Sequence, residues 1–136
     1  MNIEELRDCC LAVKNAEEYF SFGEDFPSYK VMNKVFAFFH LNPKEGEHFV
    51  VLKCDSERSV ELREKYRGVT KGRYTGLTLT WNSVYIQRDV PDALIAELIS
   101  HSVEEVVKKL SKKKQEEYVS LKLESNRATK SLNLIK

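Results

Sequence analysis

The sequence lacks any apolar run that approaches the roughly 20 residues a membrane-spanning helix requires. No signal peptide is visible either, because Met1 leads directly into a polar helix start. There are only three cysteines, Cys9, Cys10 and Cys54, and they form no CxxC pair. An odd number of cysteines without metal-ligand spacing is typical of reduced, partly buried thiols. These absences favour a cytoplasmic protein that makes no contact with a membrane.

The usual catalytic and nucleotide-binding motifs are also missing, since no HExxH, GxSxG, P-loop or GxGxxG pattern occurs. The histidines are His40, His48 and His101, and none lies in a local catalytic signature. His40 shares a strand face with Phe36 and Phe38, which favours a packed or edge residue over a catalytic base. We therefore expect a protein that is not an enzyme and needs no cofactor.

What the chain does have is the composition of one globular domain. It has 136 residues, of which 42% are hydrophobic and 32% charged, with a net charge of +1. The charge is unevenly distributed, because residues 1–27 carry a net −5 and residues 65–136 a net +6.

The acidic end, residues 1–27, could form a carboxylate ridge for hard cations. Without an Asp-x-Asp loop, we interpret these acids as solvated and helix-start charges, and we predict no metal site.

Residue patterning predicts an α+β domain with an antiparallel sheet and helices packed on one of its faces. Asn2 and Glu5 form a capping box, and Pro91 begins a long helix with a wide apolar face. Short turns between successive strands require antiparallel pairing. In chain order we predict a helix from Asn2 to Asn15, strands at 17–22, 28–32, 35–41 and 48–53, a helix from Asp55 or Ser56 that Gly68 ends, a strand at 77–87 and a helix from Pro91 to Leu110.

The segment TWNSVYI, residues 80–86, breaks the alternation of its predicted strand. Leu79 and Trp81 lie on one parity, whereas Val84 and Ile86 lie on the other. A β-bulge at residues 82–83 would produce this change. A tight turn that splits the segment into a hairpin is the alternative.

The glycine-bearing loop between the second predicted helix and the predicted strand at 77–87 carries the most suggestive chemistry. Arg67, Lys71 and Arg73 are interleaved with aromatic residues, including Tyr74, and Trp81 follows. Bases and aromatics in this arrangement can contact phosphates through charge and nucleobases through stacking. Interleaved lysine and tyrosine are also common on ordinary surface loops.

Two blocks of the sequence resemble the MmcQ/YjbR-like family: LKCDSERSVELREKYRGV at 52–69 and TWNSVYIQRDVPDALIAELISHSVEEVVKKL at 80–110. The resemblance implies a frataxin-like or secretion-chaperone-like α/β fold and a DNA-binding label based on a "double-wing" architecture. Family members often have lysine and histidine just before the tryptophan, where this chain has Thr78 and Thr80. Lys71 and Arg73 would then have to hold any anionic partner.

The sequence therefore predicts a binding domain with nucleic acid as its leading partner. Arg67, Lys71 and Arg73 would contact phosphates, while Tyr74 and Trp81 would stack. The alternative is protein binding, or a chaperone-like role, through the sheet face, since the aromatic side chains of the strands would otherwise be exposed to water. We expect a monomer or weak homodimer. The predicted domain covers 1–115, and 116–136 would form a partly helical or frayed extension.

Overall fold

The structure, a computed structural model, describes residues 1–121. It contains a six-stranded, wholly antiparallel sheet in the order β1-β2-β3-β4-β6-β5. The α+β class with antiparallel pairing is thereby confirmed. The elements are α1 (Ile3–Leu11), β1 (Glu17–Tyr19), β2 (Ser28–Val31), β3 (Lys34–Phe38), β4 (Phe49–Lys53), α2 (Ser56–Lys65), β5 (Val69–Lys71), β6 (Trp81–Tyr85), α3 (Asp92–Lys108) and α4 (112–121).

The helices begin where local capping chemistry places them. The Asn2 side chain accepts from the Glu5 N–H at 2.8 Å, and the Glu5 carboxylate accepts from the Asn2 N–H at 3.1 Å. This reciprocal pair satisfies N–H groups that have no partner within the helix. Asp55 caps α2 by accepting from the Arg58 N–H, and Pro91 precedes α3. Within residues 1–121, no helix combines the length and apolarity that crossing a bilayer demands.

The main core lies between the helices and one face of the sheet. Leu6 of α1 and Ile95 and Ile99 of α3 are buried there against Val50 and Leu52 of β4. Burial of this apolar surface stabilises the domain, because each such side chain contributes about 1.5–3 kcal/mol when it leaves water. The opposite face holds a second, smaller cluster, to which no helix of the described chain contributes.

The predicted strand at 77–87 is wrong in its first four residues. Residues 77–80 form a turn in which the Trp81 N–H donates to the Leu77 carbonyl at 3.1 Å, and the strand begins only at Trp81. Leu77 and Leu79 are exposed. The change of parity therefore marks the junction between a turn and a strand, rather than a bulge inside one strand.

The predicted bulge at residues 82–83 is likewise absent, because β6 pairs in continuous register with β4 from Trp81 to Tyr85. The sheet does contain a register shift, between Tyr29 and Lys30 on the β2–β3 pair. The segment 69–71, expected to be loop, forms the edge strand β5. Gly68 does not end α2, which stops at Lys65 with an extended residue after it.

The C-terminal part is only partly covered by the described residues. Residues 112–121 are helical, and Tyr118 is buried in the main core. The boundary at residue 115 stays a prediction, and most of the proposed 116–136 extension, residues 122–136, lies outside the described residues.

Ser28 offers a direct test of the packing in β2. It is fully buried, and its Oγ has no hydrogen-bond partner among the described residues. Because an unpaired buried hydroxyl is destabilising, we expect Ser28→Ala to raise the free energy of unfolding by up to about 1 kcal/mol in urea denaturation. The matched control is Ser102→Ala, since Ser102 Oγ donates to the Phe36 carbonyl at 2.6 Å and accepts from the Lys53 N–H at 2.9 Å. The control should lose about 1–2 kcal/mol, and equal losses at both sites would contradict the prediction.

Candidate functional site: an aromatic cleft on the open face of the sheet

The face of the sheet that points away from the helices is aromatic. Successive strand residues alternate between faces, and residues paired across antiparallel strands share one. On β4 and β6 this places Phe49, Val51 and Tyr85 on the open face, together with Trp81 and the Phe38 side chain of β3. No helix covers this face within residues 1–121, so loops must shield it.

Two loops bring further aromatic rings over the open face. Phe26, from the loop between β1 and β2, stacks on Phe38 with ring centroids 6.0 Å apart. Tyr74, from the loop between β5 and β6, meets Phe26 edge-on at 5.1 Å and lies parallel to Phe49 at 6.2 Å. Trp81 lies 6.0 Å from Phe38. Offset and edge-on arrangements at these separations are favourable, so the rings form one contiguous cluster.

Between these loops lies a cleft of about 480 Å³. Its volume is within the roughly 300–1,000 Å³ typical of ligand pockets. Two of its walls are strongly exposed, since Phe22 is 68% and Leu77 66% accessible. Contiguous exposed apolar surface of this kind marks interaction sites on soluble domains. We call this feature the aromatic cleft; its lining is Phe22, Phe26, Val35, Phe38, Tyr74, Thr75, Leu77 and Trp81.

A polar clamp behind the sheet holds the wall formed by residues 77–80. Arg63 of α2 donates from Nε to the Asn82 Oδ1 at 2.7 Å and from Nη2 to the Thr78 carbonyl. Asn82 in turn donates from Nδ2 to Ser59 Oγ at 3.0 Å. Asn82 is buried, so these bonds satisfy an amide that would otherwise be costly to bury. The clamp therefore fixes the turn that carries Leu77.

Arg73 lies on the open face, but its charge is already paired. Its N–H donates to Ser83 Oγ at 3.0 Å, and its guanidinium forms an ion pair with Glu45. This hydrogen bond to Glu45 raises the pKa of Arg73 above its ordinary value. The guanidinium carbon also lies 5.4 Å from the centre of the Phe49 ring. Arg73 thus closes the rim of the aromatic cluster and is not a free cation.

The structure brings together only three of the five residues predicted to contact nucleic acid. Arg73, Tyr74 and Trp81 lie on the open face. Lys71 pairs with Asn82, which faces the helices, so Lys71 lies on the other side of the sheet edge. Arg67 precedes β5, where its backbone N–H donates to the Asp89 Oδ2 at 2.8 Å.

Sequence reasoning missed the residues that form most of the cleft. Phe22 lies at the end of the predicted strand 17–22, Phe26 lies outside any predicted element, and Leu77 begins the predicted strand 77–87. The available signal was the parity change before Trp81, since a turn there exposes the preceding leucines. Tyr74, which the sequence did indicate, has a φ of 64°, in the left-handed region where non-glycine residues are uncommon.

Glu18, in the acidic end of the chain, is engaged in internal contacts. Glu18 accepts from Arg7 Nε at 2.8 Å and from the Tyr29 hydroxyl at 2.7 Å, and the bond from Arg7 lowers the pKa of Glu18. Among the described residues, no group of three or more His, Cys, Asp or Glu side chains could hold a metal ion. Cys10 and Cys54 are unpaired and buried, and burial raises the pKa of both thiols.

The family model YjbR matches residues 11–104 of the chain, which include the block 52–69, most of the block 80–110 and the strands of the open face. The chain belongs to the YjbR family. It is 27% identical over 121 residues to "Uncharacterized protein YjbR" of Escherichia coli K12, covering 89% of this chain and all of that protein. It is 30% identical over 94 residues to "Uncharacterized protein YbdF" of Escherichia coli O157:H7, covering 69% of this chain and 75% of that protein.

Two solved structures share the fold. The crystal structure of Deinococcus radiodurans protein DR2400, a protein with the domain DUF419, has a TM-score of 0.76 and 26% identity over 86% of this chain and 87% of that one. A Pseudomonas syringae protein has a TM-score of 0.68 and 17% identity over 78% of this chain and 99% of that one, which is a likeness of fold. The two Escherichia coli relatives, YjbR and YbdF, are both called uncharacterized. Membership of the YjbR family therefore indicates the fold of this chain but no activity.

Proposed function

We propose that this YjbR-family chain is a protein-binding module without a reaction of its own, and that it docks an apolar segment of a partner protein in the aromatic cleft. The observation that carries the proposal is the exposure of bulky apolar side chains around one cavity of about 480 Å³ on the uncovered face of the sheet. Aromatic residues dominate the energetically important positions of protein interfaces. The partner segment presents bulky apolar side chains to Trp81, Phe38 and Leu77.

The charges around the cleft favour a protein segment over a polyanion. Among residues 1–121, no charged side chain lines the cleft itself. Glu24 and Asp25 are exposed in the loop between Phe22 and Phe26, and Glu45 neutralises Arg73 at the rim. Carboxylates at this end would repel a phosphate backbone, whereas a protein segment of mixed charge is compatible with them.

The test uses the position of Trp81, which is the only tryptophan and lines the cleft. Random peptides displayed on phage are selected on the wild-type chain and counter-selected on Leu77→Ser. Enriched peptides, synthesised without tryptophan, are titrated while Trp81 emission is recorded. We expect an apolar consensus and a loss of affinity of about tenfold for Leu77→Ser.

The matched control is Leu11→Ser, the same change at an exposed leucine of α1 that does not line the cleft. It should leave affinity unchanged. The proposal fails if no peptide is enriched over the Leu77→Ser background, or if both leucine variants weaken binding equally.

Nucleic-acid binding is the second candidate, favoured by the exposed Tyr74 ring beside the Arg73 guanidinium and by the partly exposed Trp81 ring on the same face. Stacking on such rings contributes about 1–3 kcal/mol per base. A thymidine oligonucleotide and a duplex, titrated by anisotropy, should then bind with an affinity that falls steeply as salt rises. Replacing Arg67, Lys71 and Arg73 by alanine, one at a time, and repeating the anisotropy titration shows which of the three contacts phosphate. Absence of binding at low salt removes this candidate.

A further inference from the structure

A second pocket, of about 350 Å³, adjoins the aromatic cleft. The two share Trp81 and Val35, so the pocket is continuous with the cleft. Its distinguishing feature is a concentration of amines, because Lys34 of β3, Lys53 of β4 and Lys109 after α3 all line it. We call it the lysine pocket; its lining is Lys34, Val35, Lys53, Trp81, Val106, Lys109 and Leu110.

The fold, rather than the sequence, assembles these three amines. Lys53 pairs with Trp81 across β4 and β6, so both are on the open face. Lys34 begins the neighbouring strand β3, and Lys109, which directly follows α3, lines the same pocket. The three residues are 19 and 56 positions apart along the chain. No sequence motif could have indicated their proximity.

The positive charge of the pocket is not compensated internally. In the ion pairs found among residues 1–121, none involves Lys34, Lys53 or Lys109. Lys53 is half-buried, and burial followed by the charge of Lys109 lowers its pKa, with only Glu105 acting in the other direction. Clustered ammonium groups, one of them partly desolvated, are stabilised when an anion enters. The pocket therefore carries positive charge that no ion pair within residues 1–121 neutralises.

We infer that the lysine pocket binds an acidic side chain of the same partner segment whose apolar residues fill the aromatic cleft. This inference rests on the proposed function and refines it, since it requires an Asp or Glu next to the apolar residues of the partner. The aromatic cleft supplies the apolar contact, and the lysine pocket determines the orientation in which the segment binds. Charge complementarity at an interface contributes orientation and specificity in this manner.

The anion-binding part can be measured without any partner. Iodide, an anionic quencher, and acrylamide, a neutral one, both quench Trp81, which borders the pocket. We expect Lys34→Gln with Lys109→Gln to reduce the iodide quenching constant by about half, because local anion concentration follows the local potential. Acrylamide quenching should stay unchanged. The matched control is Lys44→Gln with Lys65→Gln, which removes the same charge at exposed positions outside the pocket. Equal iodide constants for the two double variants overturn the anion site.

The side-chain assignment is tested with the selected peptides, synthesised as C-terminal amides so that the acidic side chains are their only carboxylates. Replacing the acidic residue by its amide should weaken binding about fivefold to tenfold on the wild-type chain. On the Lys34→Gln, Lys109→Gln chain, the same replacement should have no effect. The Lys44→Gln, Lys65→Gln chain should behave like the wild type.

The outcomes separate this inference from the function on which it rests. Peptides that depend on Leu77 but show no coupling to the lysines overturn the inference and leave the protein-binding function standing. Peptides that do not depend on Leu77 overturn the function itself. If a thymidine oligonucleotide binds and its affinity falls in the Lys34→Gln, Lys109→Gln chain alone, the anion is a phosphate and the acidic side chain is the wrong assignment.

Discussion

Replacing Gly72 by alanine is expected to lower the free energy of unfolding by about 2–3 kcal/mol and to displace Trp81. A Cβ at this position would lie 2.8 Å from the Trp81 carbonyl oxygen and 3.0 Å from its carbonyl carbon. Both are backbone atoms, which cannot rotate away as a flexible side chain could. The Gly72 N–H also donates to the same carbonyl at 2.8 Å, so a shift that relieves the clash breaks this hydrogen bond. Urea denaturation followed by Trp81 emission reports both the stability and the environment of the cleft.

Gly76→Ala is the matched control for this experiment. Gly76 lies in the same loop, but a Cβ there meets no atom within 4 Å. We expect it to change stability by no more than about 0.5 kcal/mol, as surface substitutions usually do. Peptides that bind the wild type should bind Gly76→Ala normally and Gly72→Ala weakly. If the two alanines had equal effects, close approach to the Trp81 backbone would not be what holds this loop.

The fold was largely predictable because its signals are local. The Asn2 and Glu5 capping box, the Asp55 cap and the proline before α3 all act within one turn of a helix. The capping box forms as predicted, Asp55 is one of the two caps that the sequence offered for α2, and Pro91 is the N-cap of α3 rather than its first helical residue. Antiparallel pairing followed from the short connections between strands. Pattern reasoning failed at residues 77–80, where alternating threonine and leucine look like a strand although they form a turn. Alternation cannot distinguish the two, because the Trp81 N–H to Leu77 carbonyl bond leaves no mark on composition.

The candidate site was only partly predictable because its residues are brought together by the sheet. Tyr74 and Trp81 were identified from their place near a basic loop, and both line the cleft. The same reasoning counted Arg73 as a free cation, since its partner Glu45 lies 28 positions earlier in the chain. Lys53 was overlooked, because only strand pairing sets it beside Trp81. Charges near one another in sequence were thus a poor guide to charges near one another in space.

Replacing Asn82 by leucine, a residue of similar size, is expected to lower the free energy of unfolding by about 2–4 kcal/mol. The Asn82 Oδ1 accepts from Arg63, and its Nδ2 donates to Ser59 Oγ, so leucine leaves a partly buried guanidinium and a buried hydroxyl without these partners. Arg63 also holds the Thr78 carbonyl. Loss of the clamp should therefore loosen the turn that carries Leu77, and peptide affinity for the cleft should fall along with stability. Urea denaturation and the Trp81 titration measure the two effects separately.

The decisive measurement is the double variant Arg63→Met with Asn82→Leu. Removing both partners of a buried hydrogen bond is less damaging than removing one, because neither of the two groups that formed it is then left unpaired. We expect the double variant to be more stable than the sum of the two single losses predicts, with a coupling of about 1 kcal/mol or more. The Thr78 carbonyl stays without its guanidinium in that variant, so stability should recover further than peptide affinity. Strictly additive losses would mean that Asn82 stabilises β6 by packing alone and that the cleft wall is held by the turn itself.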